Sequence, residues 1–140
     1  MPNFVIRTHR PGTTYKGDHL FILNKGMNSG KPLKEPCANC FVIQFPNAEE
    51  ADAVYWLAYS MWKSKFWHPH LCGSVIPFIR LKEFSHEFSK KVDELLREHE
   101  EHKKHIEALK MLELREDQFH KNIALINDYR RIILYRYCKK

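Results

Sequence analysis

A chain of 140 residues with 44% hydrophobic and 13% aromatic side chains holds enough apolar matter for one core, which argues against disorder and against a second domain. Its apolar runs fall short of the roughly 18 residues of a membrane span, and Arg7, His9 and Arg10 stand where a secretory signal would be apolar, so the expected compartment is the cytoplasm. The net charge of +6 is uneven: residues 1–46 carry +4, residues 81–129 carry −3, and the last eleven residues hold five basic side chains and no acid. That distribution suits one anion-facing surface if the ends fold together.

The first third reads as three strands, Phe4–Arg7, His19–Leu23 and Cys40–Phe45, each short, rich in β-branched or aromatic residues and bounded by turn formers. Pro11-Gly12 and Gly17-Asp18 punctuate the first connection, so an antiparallel meander is the economical arrangement. Between the second and third strands lies Asn24–Cys40, seventeen residues with two glycines, two prolines and three lysines. Connections of this length inside a small domain tend to be functional.

Asn47-Ala-Glu-Glu50 has the form of a capping box and opens a helix expected to reach about Lys65. Its run Ala53–Trp62 is apolar around most of its circumference, the mark of a central core helix; the rival reading is an aromatic surface for a partner. A loop over Trp67–Gly73 and a short edge strand over Ser74–Ile79 follow, with Pro77 favouring the edge. Beyond Pro77 there is neither proline nor glycine, and apolar residues recur at 3/4 spacing from Phe88 to Tyr137. Two candidate turns interrupt that seam, Arg97–His105, which has no apolar residue, and Leu114–Gln118. The favoured reading is an antiparallel hairpin of helices over 81–113 and 117–137 that covers the second face of the aromatic helix. A single long helix that dimerises is the alternative.

The loop fragment Gly26-Met-Asn-Ser-Gly30-Lys31 resembles a phosphate-binding loop but fails as one. Three residues rather than four separate the glycines, and Lys31 is followed by Pro32 instead of the Ser/Thr that would hold magnesium. What remains is a basic, Gly/Asn-rich loop able to meet phosphates without reading sequence.

Cys37-Ala-Asn-Cys40 has zinc-knuckle spacing, and His68, His70 and Cys72 could complete a tetrahedral thiolate/imidazole set. A second Cys-x-x-Cys is missing, so the expected state is no cofactor, with a structural zinc on these five residues as the alternative. His99, His102 and His105 recur every third residue, but His-Glu-Glu-His lacks the zincin spacing and reads as a solvated helical face. No nucleophile-base-acid order or paired carboxylate stands out, which points away from an enzyme.

The run His9-Arg-Pro-Gly-Thr-Thr14, then Leu23-Asn-Lys-Gly-Met-Asn-Ser-Gly-Lys-Pro-Leu33 with Cys37-Ala-Asn-Cys40, Trp62-Lys-Ser-Lys65 and Gly73-Ser-Val-Ile-Pro-Phe-Ile79, resembles a family of small uncharacterised bacterial proteins associated with mobile genetic elements. The resemblance covers most of the first 80 residues. It implies a cytoplasmic accessory role near DNA and supplies no catalytic residues.

The reading is therefore a single α+β domain: a small antiparallel sheet and one aromatic-rich core helix over 1–80, and a C-terminal long-helix hairpin or extension over 81–140. The expected function is non-enzymatic binding of nucleic acid or another polyanion, an acidic protein included, through Arg7, Arg10, Lys25, Asn28, Lys31, Lys34, Lys63 and Lys65. The second class is a protein–protein or oligomerisation module acting as a homodimer through the C-terminal helices. No membrane partner is expected.

Overall fold

The computed structural model describes residues 4–139. It is α+β and divides into two compact units, one ending at His102 and the other beginning at Lys103. The first unit holds a four-stranded antiparallel sheet of β1 (Val5–Thr8), β2 (His19–Leu23), β3 (Pro32–Leu33) and β4 (Cys40–Gln44), in the order β1-β4-β2-β3. The expected meander does not form, because β4 inserts between β1 and β2, with Ile43 level with both Ile6 and Leu20. The reason lies in burial: Cys40, Phe41, Val42 and Ile43 are all buried, so this strand needs neighbours on both sides. β1, with Val5 and Arg7 exposed, tolerates the edge.

Side chains alternate across the sheet as its pleat requires. Leu20, Ile22, Phe41 and Ile43 face the main core, where α1 (Ala48–Lys63) contributes Val54, Ala58 and Met61, and α2 (Leu81–Arg97) contributes Phe84, Phe88 and Val92. Phe21, Cys40 and Val42 face the other way, under Tyr15, Leu33 and Cys37. α1 begins where its cap predicts, with Asn47 Oδ1 accepting from the Glu50 N–H at 2.9 Å. It ends in a turn that places Lys65 at φ +59°, a left-handed conformation more usual for glycine.

Two expectations about the second half are corrected. Ser74–Ile79 is not a strand: Phe78 makes isolated bridges to Cys72 and to Lys25, Val75 and Ile76 are exposed, and Gly73 turns back at φ +91°. The helix break falls at Glu98, inside the first of the two candidate turns, and not at Leu114–Gln118. α3 (His99–Cys138) runs for 40 residues through the second, whose Leu-Arg-Glu-Asp-Gln residues are compatible with helix throughout. α2 accordingly ends at Arg97 instead of 113, and it lies beside α1 on the same sheet face, its Phe84, Phe88 and Val92 entering the shared core. It therefore does not cover the outer side of α1. Among the described residues no helix is long and apolar enough to cross a membrane.

The second unit continues α3 as one helix, and every described side chain from Leu114 to Lys139 is exposed.

Candidate anion-binding surface

Tyr55, Tyr59 and Trp62 recur at i, i+4 and i+7 on α1, one helical face, and remain half-buried while Val54, Ala58 and Met61 take the core. Trp56 bridges Tyr55 and Tyr59 edge-on at 5.4 and 5.3 Å, and Tyr59 meets Trp62 at 5.9 Å, so the rings form a continuous row. Four lysines gather there. The ammonium groups of Lys31 and Lys63 each lie 5.0 Å from the Trp62 ring centroid, Lys63 also lies 5.7 Å from Tyr59, and Lys34 stands 6.0 Å from Tyr55. Lys65 lines the same shallow depression as Asn28, Trp62, Lys63 and His68. The Trp62 indole N–H donates to Asn28 Oδ1 at 3.3 Å, fixing the ring that positions two of the cations. Among the described residues none of these lysines has a carboxylate partner.

The loop that delivers Asn28, Lys31 and Lys34 is a fixed part of the fold. Leu23 ties the base of the loop on both sides, its carbonyl accepting from Gly30 N–H at 2.7 Å and its own N–H donating to the Lys31 carbonyl at 2.9 Å. Gly26 N–H donates to Pro77 at 2.6 Å, and Ser29 donates to Gly26 through both its N–H and its hydroxyl. Lys31 N–H is spent on Asn28. These amides are therefore unavailable to cradle a phosphate, which leaves the lysine side chains as the main anion contacts.

Of the eight residues the sequence nominates, five come together: Asn28, Lys31, Lys34, Lys63 and Lys65. Arg7 and Arg10 do not join them. They line a separate cleft with Ile6, Thr8, Thr13 and Tyr15 at the β1 edge, three strands from β3, or about 14 Å at normal strand spacing. Lys25 is held by its backbone bridge to Phe78 and lines none of the depression around Trp62.

The five metal candidates also separate. Cys40 is 1% exposed on the sheet face away from α1, with its S–H donating to the Cys37 carbonyl at 3.2 Å; burial pushes its thiol above the ordinary range. Trp67 and Leu71, which bracket His68 and His70, pack into the core on the opposite face. The sheet thus stands between the two halves of the supposed ligand set. Among the described residues no three His, Cys, Asp or Glu side chains gather as a metal site. His70 instead lies 2.9 Å from Glu83 of α2, while His68 faces the lysine cluster.

Two groups escaped the sequence reading. The sequence offers the aromatic row as core or as a partner surface but does not set it beside the lysines, although its i, i+4, i+7 spacing marks a distinct stripe. His9 is buried, hydrogen-bonded through Nδ1 to the Tyr15 hydroxyl at 2.9 Å, and edge-on to Phe21. Its N–H donates to the Cys40 carbonyl, extending the β1–β4 ladder, a pairing that a meander conceals.

Residues 6–136 match the model of a family of unknown function, DUF6943. The chain belongs to that family. No curated protein and no solved structure matches the chain. The match runs from β1 to the last turn of α3, so the lysine-bearing surface and the long helix both lie inside the DUF6943 segment.

Proposed function

We propose that this chain is a non-enzymatic accessory protein that holds nucleic acid by its phosphates, with Lys31, Lys34, Lys63, Lys65 and Asn28 as the contacts. The observation that carries the reading is the gathering of four lysines, unpaired with any described carboxylate, along one aromatic row of α1. A ring beneath an ammonium group contributes about 0.5–1 kcal/mol at an exposed site. It orders a long side chain in advance while leaving the outward N–H groups for an anion. With the ring faces occupied by lysines and the Gly26, Ser29, Gly30 and Lys31 amides bonded within the fold, the surface favours backbone contact over base readout. Lys65 adds support, since this chain carries a lysine at a left-handed position that glycine would occupy with less strain. The setting implied by the resemblance, a cytoplasmic accessory protein of a bacterial mobile element, accords with this role.

The test is titration of labelled single-stranded and duplex oligonucleotides between 50 and 200 mM salt, followed by anisotropy. Four phosphate contacts give a log–log salt slope of about −3 to −4. Lys31→Gln/Lys63→Gln removes two contacts and reduces the steepness by about 1.5 to 2. Arg7→Gln/Arg10→Gln, at the opposite sheet edge, leaves the slope unchanged. Absence of binding to either oligonucleotide at 50 mM salt would dispose of the proposal.

A further inference from the structure

The second unit is one helix, and beyond the buried Ile106 and half-buried Leu109 its described apolar side chains lie open. Large apolar residues from Met111 to Tyr137 are 41–84% exposed, far more than a soluble monomer ordinarily leaves to water. A helix draws most of its stability from packing such a face, so the stretch of α3 from Met111 onward calls for a partner. The pattern on the helix identifies which partner fits.

Leu112, Phe119, Ile123, Ile126, Ile133 and Tyr137 follow the alternating 3/4 spacing of a heptad seam, and Glu116 and Arg130 occupy the two seats left between them. These two charges are fourteen residues apart, two heptads, and therefore lie on the same row of the seam. In a parallel, in-register pair each would meet its own copy, giving Glu against Glu and Arg against Arg inside the contact. Reversing one helix removes both conflicts. With Ile123 level with the partner's Ile126, Leu112 lies level with the partner's Tyr137, and Glu116 sits one layer from the partner's Arg130. Symmetry forms that opposite-charge contact twice. The flanks agree: Leu112–Phe119 carries three acids and one arginine, whereas the facing Arg130–Tyr137 carries three arginines and no acid.

We infer that α3 pairs with α3 of a second copy as an antiparallel two-stranded coiled coil centred between Ile123 and Ile126, with Glu116 of each chain set against the partner's Arg130. The overlap from Leu112 to Tyr137 spans 26 residues, about 39 Å of helix. The inference does not depend on the nucleic-acid reading, because it uses none of the same residues.

The full chain is examined by sedimentation equilibrium at 1–100 µM, a range of about two decades in which a seam of this size is expected to hold a dimer. Arg130→Glu turns both cross-contacts repulsive and weakens dimerisation at least about tenfold, and Glu116→Arg/Arg130→Glu, which exchanges the charges, restores it. Orientation is read from spin labels on the exposed Cys138 after Cys37→Ser/Cys72→Ser, Cys40 being buried. The antiparallel register sets Cys138 level with the partner's Met111, and 27 residues of helix place the labels about 40 Å apart along the axis. A parallel pair brings them within about 20 Å. A monomer throughout the range, an assembly larger than two, a label distance under 20 Å, or failure of the exchanged variant to recover dimerisation would each overturn the inference.

Discussion

Gly30→Ala distinguishes a loop built into the core from one merely draped over it. Gly30 is buried at φ +98°, and a Cβ there would lie 2.6 Å from Trp67 Nε1 and 2.8 Å from its Cγ. The indole cannot swing aside easily. Trp67 is 1% exposed, tilted against Phe84 at 4.9 Å and edge-on to Phe66 at 5.1 Å. Overpacking of this kind costs about 1–3 kcal/mol, and the left-handed backbone adds about 1 kcal/mol for any residue with a Cβ. Gly17 supplies the control, since it has φ +76° with nothing within 4 Å of an added Cβ, so Gly17→Ala incurs only the backbone cost. In urea, with a slope of about 1.5 kcal/mol per molar, Gly30→Ala is expected to lower the midpoint by about 1.5–2.5 M and Gly17→Ala by about 0.7 M. Tryptophan fluorescence follows both transitions. Midpoints agreeing within about 0.3 M, an interval near the precision of such extrapolations, would show that the loop yields and that Trp67 does not lock it.

Further outcomes are specific to other elements. Phe84 is fully buried against Phe41, Trp67 and Phe88, and Phe84→Ala is expected to cost about 3–5 kcal/mol in urea unfolding. Asn47→Ala removes the cap on Glu50 N–H and should cost about 1 kcal/mol, read from the same curves. Lys65→Gly relieves the positive φ, raising stability by about 0.5–1 kcal/mol while weakening oligonucleotide binding, so the two assays move in opposite directions. Because burial raises the Cys40 thiol, the unfolded chain loses that proton first; its contribution to stability is intact below the ordinary thiol pKa of about 8.5 and declines as pH rises beyond it. Urea midpoints of wild type and Cys40→Ala from pH 7 to 10 check the sign, since the wild type alone should show this component of alkaline loss.

How far the sequence carried the fold depended on whether the deciding signal was local. β2 and the start of α1 were legible because a β-branched apolar run and an Asn–Glu cap act over four or five residues. Strand order was not, since the placement of β4 between β1 and β2 depends on its burial on both faces, which only its neighbours reveal. Ser74–Ile79 has strand composition, but Gly73 and Pro77 together make it a pinned loop, a competition that propensity alone decides wrongly. The break between α2 and α3 was visible as a gap in the apolar seam. It carries no glycine or proline, so the gap alone could not tell a turn at Arg97–His105 from a solvated stretch of helix. At the surface around Trp62, the lysines were nominated by charge, but their convergence required the loop to fold back onto α1. The sheet then divided Arg7 and Arg10 from them, and the cysteine pair from the histidines.

Pro32 was first notable for spoiling a phosphate-loop motif, yet its position at the outer strand of the sheet has a separate consequence for solubility. A sheet's open edges are templates for pairing with another chain, and proteins protect them with short strands, prolines and charge. Here β3 is two residues long and begins with a residue that has no N–H to offer, while β1, at the other margin, is four residues long and carries an exposed Arg7. Both rims of a sheet with a strongly apolar middle are thereby poor acceptors of a further strand. Pro32 is itself buried, so Pro32→Val replaces it with a side chain of similar size while restoring the missing donor, and is expected to reveal itself as a greater tendency to aggregate on heating.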